Sequence, residues 1–116
     1  MYLFAGCASV APDPEAVAAA RARAHEIWQR NMLIVDESVA IWKGRSGTAS
    51  FTADELTTAI EFFEALTGIE GANFSFIGPI PDEGLEKLSA AWKVWHESHG
   101  QRLMYSTSKQ RVILTD

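Results

Sequence analysis

Three stretches of this chain repeat their large apolar residues every three to four positions, and that spacing restricts it to a helical core. Trp28, Met32, Val35, Val39 and Trp42 fall four, three, four and three apart. Leu56, Ile60, Phe63 and Leu66 repeat the pattern, with Phe62 widening the stripe, and Leu85, Leu88, Trp92 and Trp95 give it a third time. Because an α-helix turns once in about 3.6 residues, each set lines one side of a helix and must be covered by another element. A strand over Leu33 to Val35 competes locally, but Asp36, Glu37 and Ser38 follow without alternation.

The chain also marks where these helices begin and end. Asp13 is a good N-cap, and Pro14 suits the first helical position, where its missing N–H has no partner to lose. Glu15 complements the positive end of the helix dipole, and the alanine-rich run that follows has high helix propensity. Lys43 and Gly44 supply a fitting end, so the first helix forms a rod of roughly 45 Å, for which a kink near Asn31 is expected. After a polar loop over 45–50, Thr52 and Glu55 form a capping box, with Phe51 and Leu56 at staple spacing. Gly68 stops this second helix and leaves Ile69 to fold back on the last turn. Asp82, after Pro81, is expected to cap a third helix that runs to His99 and ends at Gly100. The glycine- and proline-containing stretch 70–81 holds an apolar knot, Phe74 to Ile77, expected to cover one end of the core.

Leu103 to Tyr105 and Arg111 to Leu114 flank a polar turn, which predicts a hairpin. The expected fold is mainly α, a three-helix domain with a small C-terminal β-hairpin. Residues 13–116 form this single domain, and residues 1–12 form a short tether ahead of it. A length of 116 residues fits one domain.

Charge narrows the partners. The formal net charge is -5 and the pI about 5.1, and the ten Lys and Arg are dispersed apart from Arg21 with Arg23 and Lys109 with Arg111. Nucleic-acid binders leave a basic footprint that this chain lacks, and charge-driven binding to an anionic membrane is disfavoured for the same reason. No run approaches the roughly 20 apolar residues of a spanning helix.

The single cysteine, Cys7, leaves no internal disulfide and no cysteine-based zinc cluster. It follows Phe4-Ala5-Gly6, and the four residues resemble the lipobox of bacterial lipoproteins, whose usual form is Leu-Ala-Gly-Cys. The resemblance implies a thiol that receives diacylglycerol, with small neighbours that let a signal peptidase reach the bond. Phe4 departs from the preferred leucine, and only six residues, none of them Lys or Arg, precede Cys7. The lipoprotein reading therefore expects the true start upstream, while the competing reading packs residues 1–10 on the core as a short apolar segment. Ala8 to Pro14 reads as an extended tether.

Candidate chemistry is sparse. His96 and His99 with Glu97 between them, joined by His25 and Glu26, could approach a metal, but His-Glu-Ser-His lacks the spacing of the His-Glu-x-x-His motif. The competing assignment is a pair of histidines at a helix C-terminus, where the dipole favours their cationic form. The pairs Asp36–Glu37, Asp54–Glu55 and Glu61–Glu64 invite acid–base catalysis. Asp54 and Glu55 have a structural reason to occupy a first helical turn, however, and Glu61 and Glu64 lie off the apolar stripe. Trp92 and Trp95 could form a stacking platform, although their spacing makes them core residues first. Ser38, Ser46 and Ser50 lack the strand–turn–helix setting of a nucleophile elbow, and no glycine-rich phosphate loop occurs.

From Ile80-Pro81 through Leu85, Leu88, Trp92, Trp95, His99-Gly100, Leu103 and Tyr105, the chain resembles a tail found in uncharacterised small bacterial lipoproteins or beside HEAT-type helical repeats. Phe62 to Ile69 is similar to the helix that precedes that tail. The resemblance covers about half of the chain and implies a bacterial origin and a helix-plus-hairpin fold. It implies no activity and no site residues.

These readings lead to one expectation and one alternative. The expectation is a non-enzymatic cell-envelope lipoprotein, lipidated at Cys7, without metal or cofactor, whose helical domain binds a protein partner. Ala8 and Ser9 carry no aspartate retention signal, which implies the outer membrane. The alternative is a cytoplasmic acidic interaction module of the immunity type, plugging a basic toxin or enzyme.

Overall fold

A computed structural model describes residues 13–45, 49–71 and 82–115. Cys7, the tether and the apolar knot over 74–77 lie outside the described residues. The mainly helical fold and the terminal hairpin are as the periodicity predicts.

Helix α1 spans Pro14–Trp42. The Asp13 carboxylate accepts from the Glu15 N–H at 3.0 Å, and the Asp13 carbonyl accepts from the Val17 N–H. The helix continues without interruption through Asn31, whose side-chain amide donates to the Ile27 carbonyl one turn back. The side chain is thus satisfied within its own helix, and the helical hydrogen-bond run is not interrupted there. Gly44, at φ +76°, carries the chain away.

Helix α2 spans Ala53–Thr67 and has both halves of its capping box. The Glu55 N–H donates to Thr52 Oγ1 at 3.1 Å, and the Thr52 N–H donates to Glu55 Oε1 at 2.8 Å. Gly68 closes it at φ +75°, a left-handed conformation that costs glycine little, and donates its N–H to the Glu64 carbonyl. Helix α3 spans Asp82–His99. Gly100 ends the α-helix as expected, but the chain then makes a 3₁₀ turn over Gly100–Arg102 before it extends. Strands β1 (Leu103–Ser106) and β2 (Arg111–Leu114) pair antiparallel, Leu103 opposite Leu114 and Ser106 opposite Arg111.

Helix α1 is the spine. Ser50, just ahead of α2, bonds to Glu37, while Phe63 near the other end of α2 packs edge-on to Trp28 at 4.7 Å. On the neighbouring side Lys43 pairs with Glu86, Asp36 with Ser89 and Lys93, and Trp28 with His96. Both α2 and α3 therefore run antiparallel to α1. The hairpin then lies along the first half of α1, where Arg21 donates to the Gln101 carbonyl and the Arg23 guanidinium sits 5.6 Å above the Tyr105 ring.

Trp28, Val35, Phe63, Leu88 and Trp92 form the centre of the core, and Leu103 and Val112 bring the hairpin into it. Trp92 is fully buried and donates its indole N–H to the Ile69 carbonyl at 3.0 Å, which ties α3 to the end of α2. Trp42 departs from the expected stripe and is 43% exposed. It is the last residue of α1, beyond the buried run from Ala24 to Val35, so periodicity overstates the depth of the stripe there.

Candidate functional site

The most unusual local chemistry lies where α3 crosses the middle of α1. The His96 imidazole lies 4.4 Å from the Trp28 ring and 5.7 Å from the His25 ring, while Trp95 stacks on Trp28 at 5.9 Å. Residues 92, 95, 96 and 99 share one side of α3, so the helix delivers two indoles and two imidazoles to the same seam. His99 is used differently. Its ring stacks on Trp95 at 4.5 Å, and its Nδ1–H donates to the Trp95 carbonyl one turn back.

His96 Nε2 is buried, has no hydrogen-bond partner among the described residues, and faces Gly100 so closely that a Cβ there would lie 2.8 Å away. Burial, and secondarily the charge of His25, hold the His96 imidazole below its ordinary value of 6.5, so it is neutral at neutral pH.

The fold thus brings His25 to His96, as a metal site would need, but takes His99 to a different partner. Glu26 is paired with Arg23 at 3.1 Å. Among the described residues no three His, Cys, Asp or Glu side chains converge on one point. With His96 Nε2 directed at Gly100, His25 and His96 gain no third donor among the described residues.

The carboxylate pairs are separated by their duties. Asp36 turns to α3, where one oxygen accepts from Ser89 Oγ at 3.1 Å and Lys93 Nζ at 2.9 Å. Glu37 turns to the loop and accepts from the Ser50 hydroxyl and N–H, which lower its carboxyl in that order of importance. Glu55 completes the capping box, and Glu64 accepts from the Gly71 N–H at 3.2 Å. Asp54 and Glu61 are exposed on α2. Trp92 is core, as its spacing predicts, and Trp95 is half-buried.

Two concavities flank this framework. One, of about 370 Å³, lies over the seam, with Trp28 and Met32 below and His25, Leu33, Asp36 and His96 around it. Leu33, 70% exposed, stands at its edge. The second, of about 520 Å³, separates the last turns of α2 from β2 and is lined by Phe62, Leu66, Val112 and Leu114, with Lys109 and Arg111 at its turn end. Sequence reasoning missed this second surface. The basic pair was visible, but α2 and β2 are some fifty residues apart in the chain and only the fold sets them side by side.

The chain matches no family model, no curated protein and no solved structure. Among the described residues, no helix is long and apolar enough to cross a membrane.

Proposed function

We propose that this chain is a non-enzymatic bacterial cell-envelope lipoprotein, anchored by a lipid on Cys7, whose helical domain binds a protein partner. The observation that carries the anchor is Phe4-Ala5-Gly6-Cys7, a thiol behind two small residues, followed within a few residues by a helix that starts at a firm cap. The binding role is supported by the two concave surfaces with apolar floors, one with the exposed Leu33 at its edge and the other with the exposed Leu114 in its lining, since solvent-facing apolar clusters on a small domain favour contact with another surface. The non-enzymatic reading is supported by the three candidate carboxylate pairs, of whose six members Asp36, Glu37, Glu55 and Glu64 are committed to a cap, loop ties and the α1–α3 contact.

Intact mass spectrometry of the protein extracted with detergent from its native host tests the anchor. The expected species begins at Cys7 and carries fatty acyl chains. A species that retains Met1 and a free thiol would overturn it. That outcome would bring forward the cytoplasmic immunity-type reading, which the net charge of -5 favours because an acidic surface speeds association with a basic partner.

A further inference from the structure

We infer that the groove between α2 and the outer edge of β2 takes an extended apolar peptide that adds as a third strand, running antiparallel to β2 with a carboxylate at its C-terminal end. The inference rests on the protein-binding part of the reading above and names the chemistry of the partner.

Thr115 donates its N–H to the Arg102 carbonyl at 2.7 Å, and Leu103 pairs with Leu114. In an antiparallel ladder the residues that exchange hydrogen bonds alternate along each strand. The bonded positions on β2 are therefore Arg111, Ile113 and Thr115, and the peptide groups of Val112 and Leu114 point away from β1. Among the described residues the sheet has two strands, and no third strand pairs with that edge. Among the described residues, no backbone hydrogen bond from Val112 or Leu114 leaves the hairpin.

An unpaired edge by itself selects no partner. Here it runs beside Phe62 and Leu66 of α2, which give alternate side chains of an added strand an apolar surface to rest on. Charge then sets the direction. Lys109 and Arg111 stand at the turn end of β2, no carboxylate lines the groove among the described residues, and the chain as a whole is acidic. A strand antiparallel to β2 passes Leu114 first and reaches the two cations with its C-terminal end. A carboxylate there is attracted to both cations. The same cations disfavour a basic peptide.

The test is a titration of the ¹⁵N-labelled full chain with an acetylated hexapeptide that alternates valine and threonine and ends in aspartate with a free C-terminus. Two controls are the C-terminal amide of that peptide and a version ending in lysine amide. The expected result is a shift of the Val112, Leu114, Phe62 and Leu66 amides with the first peptide and about tenfold weaker binding of the lysine version. The amide tells whether the chain terminus or the acidic side chain supplies the carboxylate. The double variant K109E/R111E should lose about tenfold in affinity. L114P removes an outward N–H that the ladder does not use and should abolish the shifts while the β1–β2 cross-peaks remain. If L114P fails to fold, K109E/R111E still decides.

Several results would overturn the inference. They are no shift at millimolar peptide, binding indifferent to both variants, edge-to-edge dimerisation of this chain, and capture by phosphatidylglycerol vesicles in place of peptide. Shifts confined to Leu33, Gln29 and His25 would sink this groove while leaving the protein-binding reading intact.

Discussion

The His96 imidazole rests against the Trp28 indole, with ring centroids 4.4 Å apart and the planes 26° from parallel, so a titratable group forms part of the contact between α1 and α3. Its buried Nε2 has no partner among the described residues. The folded protein therefore favours the neutral ring, and His96 titrates below its ordinary value of 6.5. Between the folded and the ordinary value the unfolded chain binds more protons, so stability rises with pH across that window. Stability should be full above pH 6.5, decline as the pH falls below it, and level off below the folded value of His96. Urea midpoints from pH 7.5 to 5 measure this, and His25→Gln, which removes the secondary repulsion, should narrow the window. The reference is the His96→Gln variant, in which this component should vanish.

Gly100 has no positive φ, so alanine there is conformationally permitted. Its Cβ would nevertheless meet His96 Nε2 at 2.8 Å. Gly100→Ala should destabilise the fold by about 1–3 kcal/mol through overpacking. Removing the ring should relieve the clash, so the double variant with His96→Ala should show coupling when measured by chemical denaturation.

One oxygen of Asp36 receives both Ser89 and Lys93, but the two contacts differ in kind. Ser89 is buried at 4% exposure, whereas the Lys93 and Asp36 side chains are about half-exposed, at 50% and 43%. A solvent-exposed ion pair contributes about 0–1 kcal/mol and weakens with salt. Leaving the buried hydroxyl without its carboxylate costs about 1–3 kcal/mol. Double-mutant cycles of Asp36→Ala with Ser89→Ala and with Lys93→Ala should therefore give a salt-insensitive coupling for the first pair and a smaller, salt-sensitive one for the second.

Trp92 both fills the core and donates to the Ile69 carbonyl just past the cap of α2. Trp92→Phe keeps most of the ring but removes the donor, and should cost about 1–3 kcal/mol. Trp92→Ala also opens a cavity and should cost about 3–5 kcal/mol. Thermal and urea unfolding of the two variants separate hydrogen bond from packing.

Much of the frame is local chemistry and could be read from the chain. Asp13 with Pro14, Thr52 with Glu55, and Gly68 act on their own helix within one turn, so no tertiary knowledge is needed to place α1 and α2. Leu103 to Leu114 pairs across a four-residue turn for the same reason. The limits appear where an outcome depends on what lies opposite. Trp42 has the spacing of a core residue but extends past the buried run, where among the described residues no element lies opposite to cover it fully.

The candidate surfaces follow the same division. Sequence alone determined the three amphipathic helices, their caps, the hairpin, the acidic balance and the lipobox-like setting of Cys7, because each depends on residue type and short spacing. Tertiary structure decided that His25 meets His96, that Asp36 and Glu37 serve different neighbours, and that Lys109 and Arg111 border a groove against α2. Those outcomes depend on the sides along which antiparallel helices meet, which many distant apolar contacts settle together and no short stretch of chain encodes.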